Sequence, residues 1–169
     1  ITLVHELSTK VSRAAGLDEV YDTALDAILD ATRAERAAVL LFDEDEVIRF
    51  KAWRGLSDGY RAAVEGHSPW SPDQVDAVPI TVPDVEADTS LGHYRDVILS
   101  EGIRALAFVP LVHETRLLGK FMVYLREPRK FSKPEIRVAQ TIANHVAFAI
   151  QRKQAEQALL RSEPRRRSR

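Results

Sequence analysis

The sequence predicts an α+β domain with a central antiparallel sheet, helices packed on one sheet face, and an irregular segment that covers a pocket on the other. Two pairs of short apolar runs, each pair joined by a few polar residues, predict two β-hairpins. Apolar residues at helical spacing near both ends of the chain predict the helices. Residues 55–103, between the hairpins, contain five of the seven glycines and four of the eight prolines, which predicts loops and short elements.

The chain is predicted to begin with a helix over residues 2–15. Its apolar residues repeat at 3-4-3 spacing, which is typical of the narrow stripe of a coiled coil. Gly16 is expected to end this helix. We assign residues 1–16 to an N-terminal signalling and dimerisation helix. Its stripe consists of Val4, Leu7, Val11 and Ala14.

A second helix and the first hairpin follow. Asp18 is expected to cap the helix, which would run to about residue 34. Residues 37–42 are a short buried run and residues 47–53 a second one, so the acidic residues 43–46 between them predict the turn of a hairpin. The apolar face of the helix consists of Val20, Ala24, Ala27, Ile28 and Ala31.

The segment 55–103 is the expected cover of a ligand pocket. Short helices are predicted near residues 57–64 and 93–100, and a brief edge strand at residues 79–82. Long insertions between strands usually carry function, because they can change shape without disturbing the core.

The second hairpin is predicted from residues 104–112 and 117–126, which flank the loop 113–116. Strand alternation divides its residues between two faces. Small residues at 105 and 107 indicate that helices pack against one face. On the other face lie Leu106, Phe108 and Pro110 of the first strand with Lys120, Met122 and Tyr124 of the second.

Ser132 is predicted to begin the last helix, with Glu135 at the third position completing a capping box. The helix would reach about residue 162, and it becomes polar after residue 150. We therefore assign residues 17–150 to the globular domain and residues 151–169 to a linker helix and a basic tail.

Composition excludes several kinds of chemistry. The chain has no cysteine, which excludes disulfides, thiolate nucleophiles and Cys-linked cofactors. Its apolar runs are too short to cross a bilayer. Residues 1–160 carry more acidic than basic side chains, which argues against nucleic acid as a partner. No initiator methionine or signal peptide is present, so we expect a piece of a longer cytoplasmic protein.

No catalytic motif stands out in the sequence. Ser-His-Asp spacing, a glycine-rich phosphate loop and paired carboxylates are all missing, so we predict that this chain is not an enzyme. His93 has two nearby carboxylates, Asp84 and Asp88, which could suggest a metal site. Asp84 more simply caps a turn and Asp88 the start of a helix, and we assign no metal.

Several segments, in a characteristic order, resemble the GAF domain family, a relative of the PAS fold. They are Ala38-Val39-Leu40-Leu41-Phe42-Asp43, Ser68-Pro69-Trp70, residues 79–85, residues 102–111, Leu117-Leu118-Gly119, and Phe131-Ser132 with Glu135. The resemblance covers about residues 6–150. It implies a sheet whose one face packs against the terminal helices while the other binds a ligand, in a signalling protein such as a sensor histidine kinase.

The resemblance also implies which residues form the pocket. Covalent bilin binding is not expected, because there is no cysteine and because Tyr94 stands where the bilin-binding relatives would have histidine. The identity of any cofactor stays open. An alternative is that the bulky residues only fill the core. The predicted pocket residues are Trp70, Tyr94, Ile98, Leu106, Phe108, Met122 and Tyr124.

Two functions are compatible with this sequence. The first is a ligand-gated sensor, in which a small molecule in the pocket shifts the terminal helices. The second is a structural dimerisation module that binds no ligand. Both predict a homodimer through the terminal helices, in which Ile150 would join the stripe of the first helix.

Overall fold

The computed structural model describes residues 16–167, with side chains up to residue 161. The predicted first helix, with Val4, Leu7, Val11 and Ala14, lies outside the described residues. Within them, five strands form one sheet and four helices surround it. The strands are β1 (Arg36–Phe42), β2 (Ile48–Arg54), β3 (Ile80–Val82), β4 (Ala105–His113) and β5 (Arg116–Leu125). The helices are α1 (Leu17–Thr32), α2 (Asp58–Val64), α3 (Tyr94–Ser100) and α4 (Lys133–Arg167).

The sheet has the strand order β2-β1-β5-β4-β3, and all neighbouring strands are antiparallel. The predicted hairpins are therefore confirmed, and so is the α+β class. The pairing of β1 with β5 joins the two hairpins across the centre of the sheet. The short strand β3 closes one edge, so a segment that follows the first hairpin is attached directly to the second.

Gly119 allows β1 and β5 to approach closely. A Cβ atom at this position would overlap the carbonyl oxygen of Leu40 and lie 2.8 Å from the Cα of Leu41. Both of these are backbone atoms of the neighbouring strand, which cannot move aside as a flexible side chain can. Residue 119 therefore has to be glycine for the centre of the sheet to form.

Helices α1 and α4 pack together on one sheet face, as predicted. Alanines at strand positions 37, 105 and 107 are completely buried beneath them, because small side chains let the helix backbones come close to the sheet. The largest completely buried helix side chains in this core are Leu25, Ile28, Ile142 and Ile150.

Helix boundaries differ from the predictions in three places. Asp18 is not the cap of α1: Gly16 occupies that position in extended conformation, and Asp18 lies in the first turn, where its charge favours the helix N-terminus. The helix ends at Thr32, not residue 34, because Arg33 adopts a left-handed conformation with φ 58°. Helix α4 continues to Arg167, past the predicted end near residue 162.

The capping box of α4 is present as predicted. The Glu135 backbone N–H donates to Ser132 Oγ at 3.2 Å, and the Ser132 N–H donates to Glu135 Oε1 at 2.9 Å. Arg129 reinforces the cap, because its guanidinium lies 2.8 Å from Glu135 Oε2. No helix within residues 16–167 is both long and apolar enough to cross a membrane.

Residues 55–104 cover the sheet face opposite α1 and α4, and we call them the lid. They contain α2, β3 and α3. Ser57 caps α2 by accepting a hydrogen bond from the Tyr60 N–H at 3.2 Å. The lid and this sheet face enclose a second core, separate from the helix-side core, that includes Leu40, Trp70 and Ile103. The domain therefore has two cores with the sheet between them.

Candidate ligand pocket

The four predicted pocket residues on β4 and β5 share one sheet face. Leu106 pairs with Tyr124 and Phe108 with Met122, and all four side chains are buried on the lid side. Their strand neighbours at 105, 107, 121 and 123 belong to the helix-side core. The alternation predicted from the sequence is confirmed.

The lid contributes the three other predicted residues in two ways. Tyr94 and Ile98 of α3 line the same cavity as the sheet residues. Trp70 is buried and packs edge-on against Phe108, with ring centroids 6.5 Å apart, but it does not line the cavity itself.

The cavity between sheet and lid is almost filled, and we call it the sheet pocket. Its volume is about 20 Å³, which is room for roughly one water molecule. A larger molecule can enter only if lid residues move. The lining consists of Leu40, Phe50, Tyr60, Val64, His67, Tyr94, Ile98, Leu106, Phe108, Lys120, Met122 and Tyr124.

Lys120 is the polar group that the predicted pocket set omitted. Its side chain points to the lid side of β5, and only 4% of the residue is exposed. The Nζ atom donates a hydrogen bond to the backbone carbonyl of His67 at 2.6 Å and lies 5.2 Å from the centroid of the Phe108 ring. The sequence could have identified Lys120 as a pocket residue, because strand alternation places residue 120 on the same face as residues 122 and 124.

Burial alone lowers the pKa of the Lys120 amine to about 7. The charged and the neutral forms of the amine are therefore both populated near neutral pH. Among the residues lining the sheet pocket there is no aspartate or glutamate that could neutralise its charge. A lysine in this setting exchanges a proton within the physiological range, which an exposed lysine does not.

Three neighbouring rings lie at the pocket boundary, and two of them, His67 and Tyr94, line the sheet pocket. Tyr94 lies between His67 and His93, with ring centroids 4.3 Å and 4.1 Å away. Burial, then the charges of Lys120 and His93, lowers the pKa of His67 to about 4. His67 is therefore neutral at pH 7. Both His67 and Tyr94 are only partly buried, so they form the boundary between the pocket and solvent.

Two further tyrosines line the sheet pocket. The rings of Tyr60 and Tyr124 pack edge to face with centroids 6.1 Å apart. Burial is the largest cause of the raised pKa of each phenol. Both phenols are therefore neutral and present polar hydroxyl groups within a mainly aromatic wall.

The lid is attached to the sheet at its two ends by Glu101. Its carboxylate accepts hydrogen bonds from the Ser57 N–H and Oγ, both at 2.7 Å. Its backbone carbonyl accepts from Arg36 Nη1 of β1 at 2.5 Å. One residue thus joins the beginning of α2, the end of α3 and the sheet.

The carboxylates near His93 are used in turns. Asp84 accepts a hydrogen bond from the Glu86 N–H, and Asp88 accepts from the Ser90 and Leu91 N–H groups. In the described part of the chain, no three His, Asp or Glu side chains are grouped closely enough to hold a metal ion.

Helix α4 changes character after residue 150. Ile150 is completely buried in the helix-side core, so it packs against its own domain. Leu159 and Leu160 further along are 61% and 63% exposed, and Phe148 on the outer side of the helix is 53% exposed. Ile150, which was predicted to join a dimer interface, is therefore not among the exposed apolar residues of this helix.

Comparisons with known proteins agree with this architecture. The family model for the GAF domain matches residues 14–151. A domain of a protein named as a two-component sensor histidine kinase from Sinorhizobium meliloti 1021 is 46% identical and has a TM-score of 0.79. The alignment covers 86% of this chain and 98% of that domain. A search of the curated proteins gave no match.

More distant structures share the fold. The GAF domain of the cyanobacteriochrome TePixJ is 17% identical, with a TM-score of 0.74 over 85% of this chain and 94% of that one. The GAF domain of a phosphoenolpyruvate-protein phosphotransferase from Coxiella burnetii is 18% identical, with a TM-score of 0.73 over 93% and 95%. The family match over most of the sequence, the 46% identity and the two-core sheet together show that this chain belongs to the GAF domain family.

Proposed function

We propose that this chain is a regulatory, non-catalytic domain that senses a small molecule within a cytoplasmic signal-transduction protein, a histidine kinase or a related two-component protein. The observation that carries the proposal is the buried Lys120 amine, which faces a pocket closed by a separate lid. The 46% identity to a domain of a named sensor histidine kinase supports the protein context.

The sheet offers a route from the pocket to the helices. Lys120 pairs with Pro110 on β4. The carbonyl of Pro110 accepts a hydrogen bond from Gln140 Nε2 of α4 at 3.0 Å, and Gln140 also donates to Asn144 Oδ1 at 2.8 Å. A shift of the strands on the pocket side would therefore reach α4 through one residue pair. This helix extends beyond the core and would carry the change onward.

The dimeric state belongs to the same proposal. The terminal helices would form a homodimer, with the exposed Leu159 and Leu160 of α4 as contact residues in place of the buried Ile150. Pairing of the helices of two chains would allow a change in helix position to alter the activity of attached domains.

A ligand-free dimerisation module is a second candidate, and one observation favours it. The sheet pocket holds about 20 Å³, so its aromatic side chains already provide a packed core. In that case Phe108, Met122 and Tyr124 stabilise the fold without binding anything.

The test is a ligand screen on the purified 169-residue chain. Native mass spectrometry would detect a retained molecule, and thermal unfolding would be followed with nucleotides, tetrapyrroles, aromatic acids and neutral aromatics. We expect one compound class to raise Tm with concentration, and to do so less for Phe108→Ala than for Phe121→Ala, since Phe121 lies in the other core. An empty dimer that no class stabilises would favour the dimerisation module.

A further inference from the structure

Within the part of the chain that the structure describes, the Lys120 ammonium has no carboxylate partner. The group has three donors, and the structure satisfies one of them with the His67 carbonyl. None of the acidic residues that the structure describes forms an ion pair with it. A buried charge without a partner destabilises a protein strongly, so an apolar side chain would serve a purely structural core better.

The position of Lys120 prevents it from reaching water by extending its stem. It lies on the third strand of five, with β1 on one side and β4 on the other. The lid covers it from above through His67. Long lysines at sheet edges usually place the ammonium in solvent, and this one is held in the middle of the sheet instead.

Building on the proposed sensing function, we propose that the Lys120 amine recognises the carboxylate of a small aromatic acid in the sheet pocket. The carboxylate would supply the missing negative charge and accept hydrogen bonds from the ammonium, in exchange for its present contact with the His67 carbonyl. The ring of the acid would lie among Phe108, Tyr60, Tyr94 and Tyr124, which line the same cavity.

Recognition of this kind also explains how the lid would respond. Lys120 Nζ now holds the lid by its hydrogen bond to the His67 carbonyl. A carboxylate that takes over the amine releases this carbonyl, and the partly exposed rings of His67 and Tyr94 must move to make room for the acid. Ligand binding would then exchange a contact between lid and sheet for one between ligand and sheet.

The test measures binding of benzoate, 4-hydroxybenzoate, phenylacetate and indole-3-acetate to the purified chain by calorimetry and thermal shift. The neutral isosteres benzamide and benzyl alcohol and the cation benzylamine are the ligand controls. We expect at least one acid to bind and its neutral isostere to bind at least about tenfold more weakly, as for a charge-assisted hydrogen bond.

Two lysine variants locate the recognition group. In Lys120→Met the affinity for the acid should fall about tenfold or more, whereas Lys51→Met, an exposed lysine on β2 of the same sheet, should bind like the wild type. Because methionine suits a buried site, the first variant is expected to fold, and its thermal unfolding shows whether it does.

Proton uptake provides an independent readout. At pH 8 most of the Lys120 amine is neutral, and an anion that binds the ammonium form must bring a proton with it. Calorimetry in two buffers of different ionisation enthalpy should show uptake of nearly one proton in the wild type and none in Lys120→Met. His67, Tyr60, Tyr94 and Tyr124 are the other titratable groups on the pocket wall, and all four remain in the variant.

The outcomes separate the two proposals. The role proposed for Lys120 is wrong if neutral aromatics or another class bind while no acid does. It is also wrong if Lys120→Met binds the acid like the wild type. In both cases the sensing function stands. If nothing in the wider screen binds, the sensing function fails, and the aromatic-acid proposal fails with it.

Discussion

Lys120 shows what a single buried residue implies for the stability of the domain. The folded chain holds this amine at a pKa of about 7, and the unfolded chain restores it to its ordinary 10.5. Between these two values the unfolded state binds one more proton than the folded state, so the free energy of unfolding rises with pH across this window. Below pH 7 the amine is charged in both states and its burial cost is complete.

We therefore expect the wild-type domain to gain about 2 kcal/mol of stability between pH 7 and pH 9, measured by urea unfolding. Lys120→Met should abolish most of this rise and be more stable than the wild type at pH 7 by roughly 2 kcal/mol or more. The pKa of His67 is lowered from 6.5 to about 4, so this residue changes the free energy of unfolding only between about pH 4 and pH 6.5. It therefore does not affect the range from pH 7 to pH 9. The pocket phenols of Tyr60 and Tyr124 titrate above it. If the free energy of unfolding of Lys120→Met rises by the same amount between pH 7 and pH 9, Lys120 is not the cause of the rise.

A second prediction for a single residue concerns Gly119. Gly119→Ala should lower the free energy of unfolding by about 3 kcal/mol, because the added methyl group overlaps the β1 backbone at Leu40 and Leu41. Gly59→Ala is the matched control: Gly59 lies in α2, and its Cβ would meet no atom within 4 Å. We expect that change to be neutral or slightly stabilising, since alanine favours helices. Equal effects of the two changes, in chemical unfolding, would show that close strand approach is not the cause.

At the scale of elements, the lid depends on a few polar contacts. Glu101 holds Ser57 by its carboxylate and Arg36 by its carbonyl. Other polar links between lid and sheet include the pairing of β3 with β4, the hydrogen bond from Lys120 to the His67 carbonyl, and contacts of residues 65 and 66 with β2. Local opening is easiest where few groups bind a segment. We therefore expect the lid helices α2 and α3 to open locally while β1, β4 and β5 stay paired.

We expect Glu101→Ala to increase amide hydrogen exchange in α2 and α3 with little change in β1 and β5. The global loss of stability should be about 1 kcal/mol, since the contacts are partly exposed. Glu44→Ala, in the exposed turn between β1 and β2, is the control and should leave lid exchange unchanged. Faster exchange throughout the sheet in Glu101→Ala would mean that lid and sheet open as one unit.

The periodicity of apolar residues predicted most helices and strands. The closed cavity was not predicted, because it depends on contacts between residues that are far apart in the sequence. Alternation along β4 and β5 was sufficient to assign both faces, because period two leaves little choice once one face is apolar. The closed cavity could not be predicted, since it depends on Lys120 meeting a carbonyl 53 residues earlier in the chain. The start of α1 was misassigned because Asp18 is a good capping residue, and the structure uses it within the first turn.

At the scale of the whole molecule, the domain and its emerging helix are distinct. Among the side chains that the structure describes, Ile150 is the last that is completely buried, and every one from 154 to 161 is exposed. The terminal part of α4 thus contributes little to the two cores. If this part of α4 forms the interface of the proposed homodimer, its removal should weaken dimerisation and leave folding unchanged.

We expect a chain ending at Lys153 to unfold within about 2 °C of the full chain when both are monomeric at low concentration, because it retains both cores. Analytical ultracentrifugation at high concentration should show weaker dimerisation of the shorter chain. Leu159→Glu with Leu160→Glu in the full chain should weaken it similarly. Unchanged dimerisation in both variants would place the interface elsewhere in the molecule.

The hydrogen bond between Lys120 and His67 has a consequence for rates. Its donor is on the central strand, next to the close contact at Gly119, and its acceptor is on the lid. In the proposed sensor a ligand would have to replace this bond to reach the amine, so only molecules in which the bond is open would accept it, and the affinity would fall in proportion to their fraction. Association should then level off as ligand concentration rises, at a ceiling set by how often the bond opens. A molecule already inside would leave through the same opening, and the domain would keep its signal for some time after the outside concentration falls.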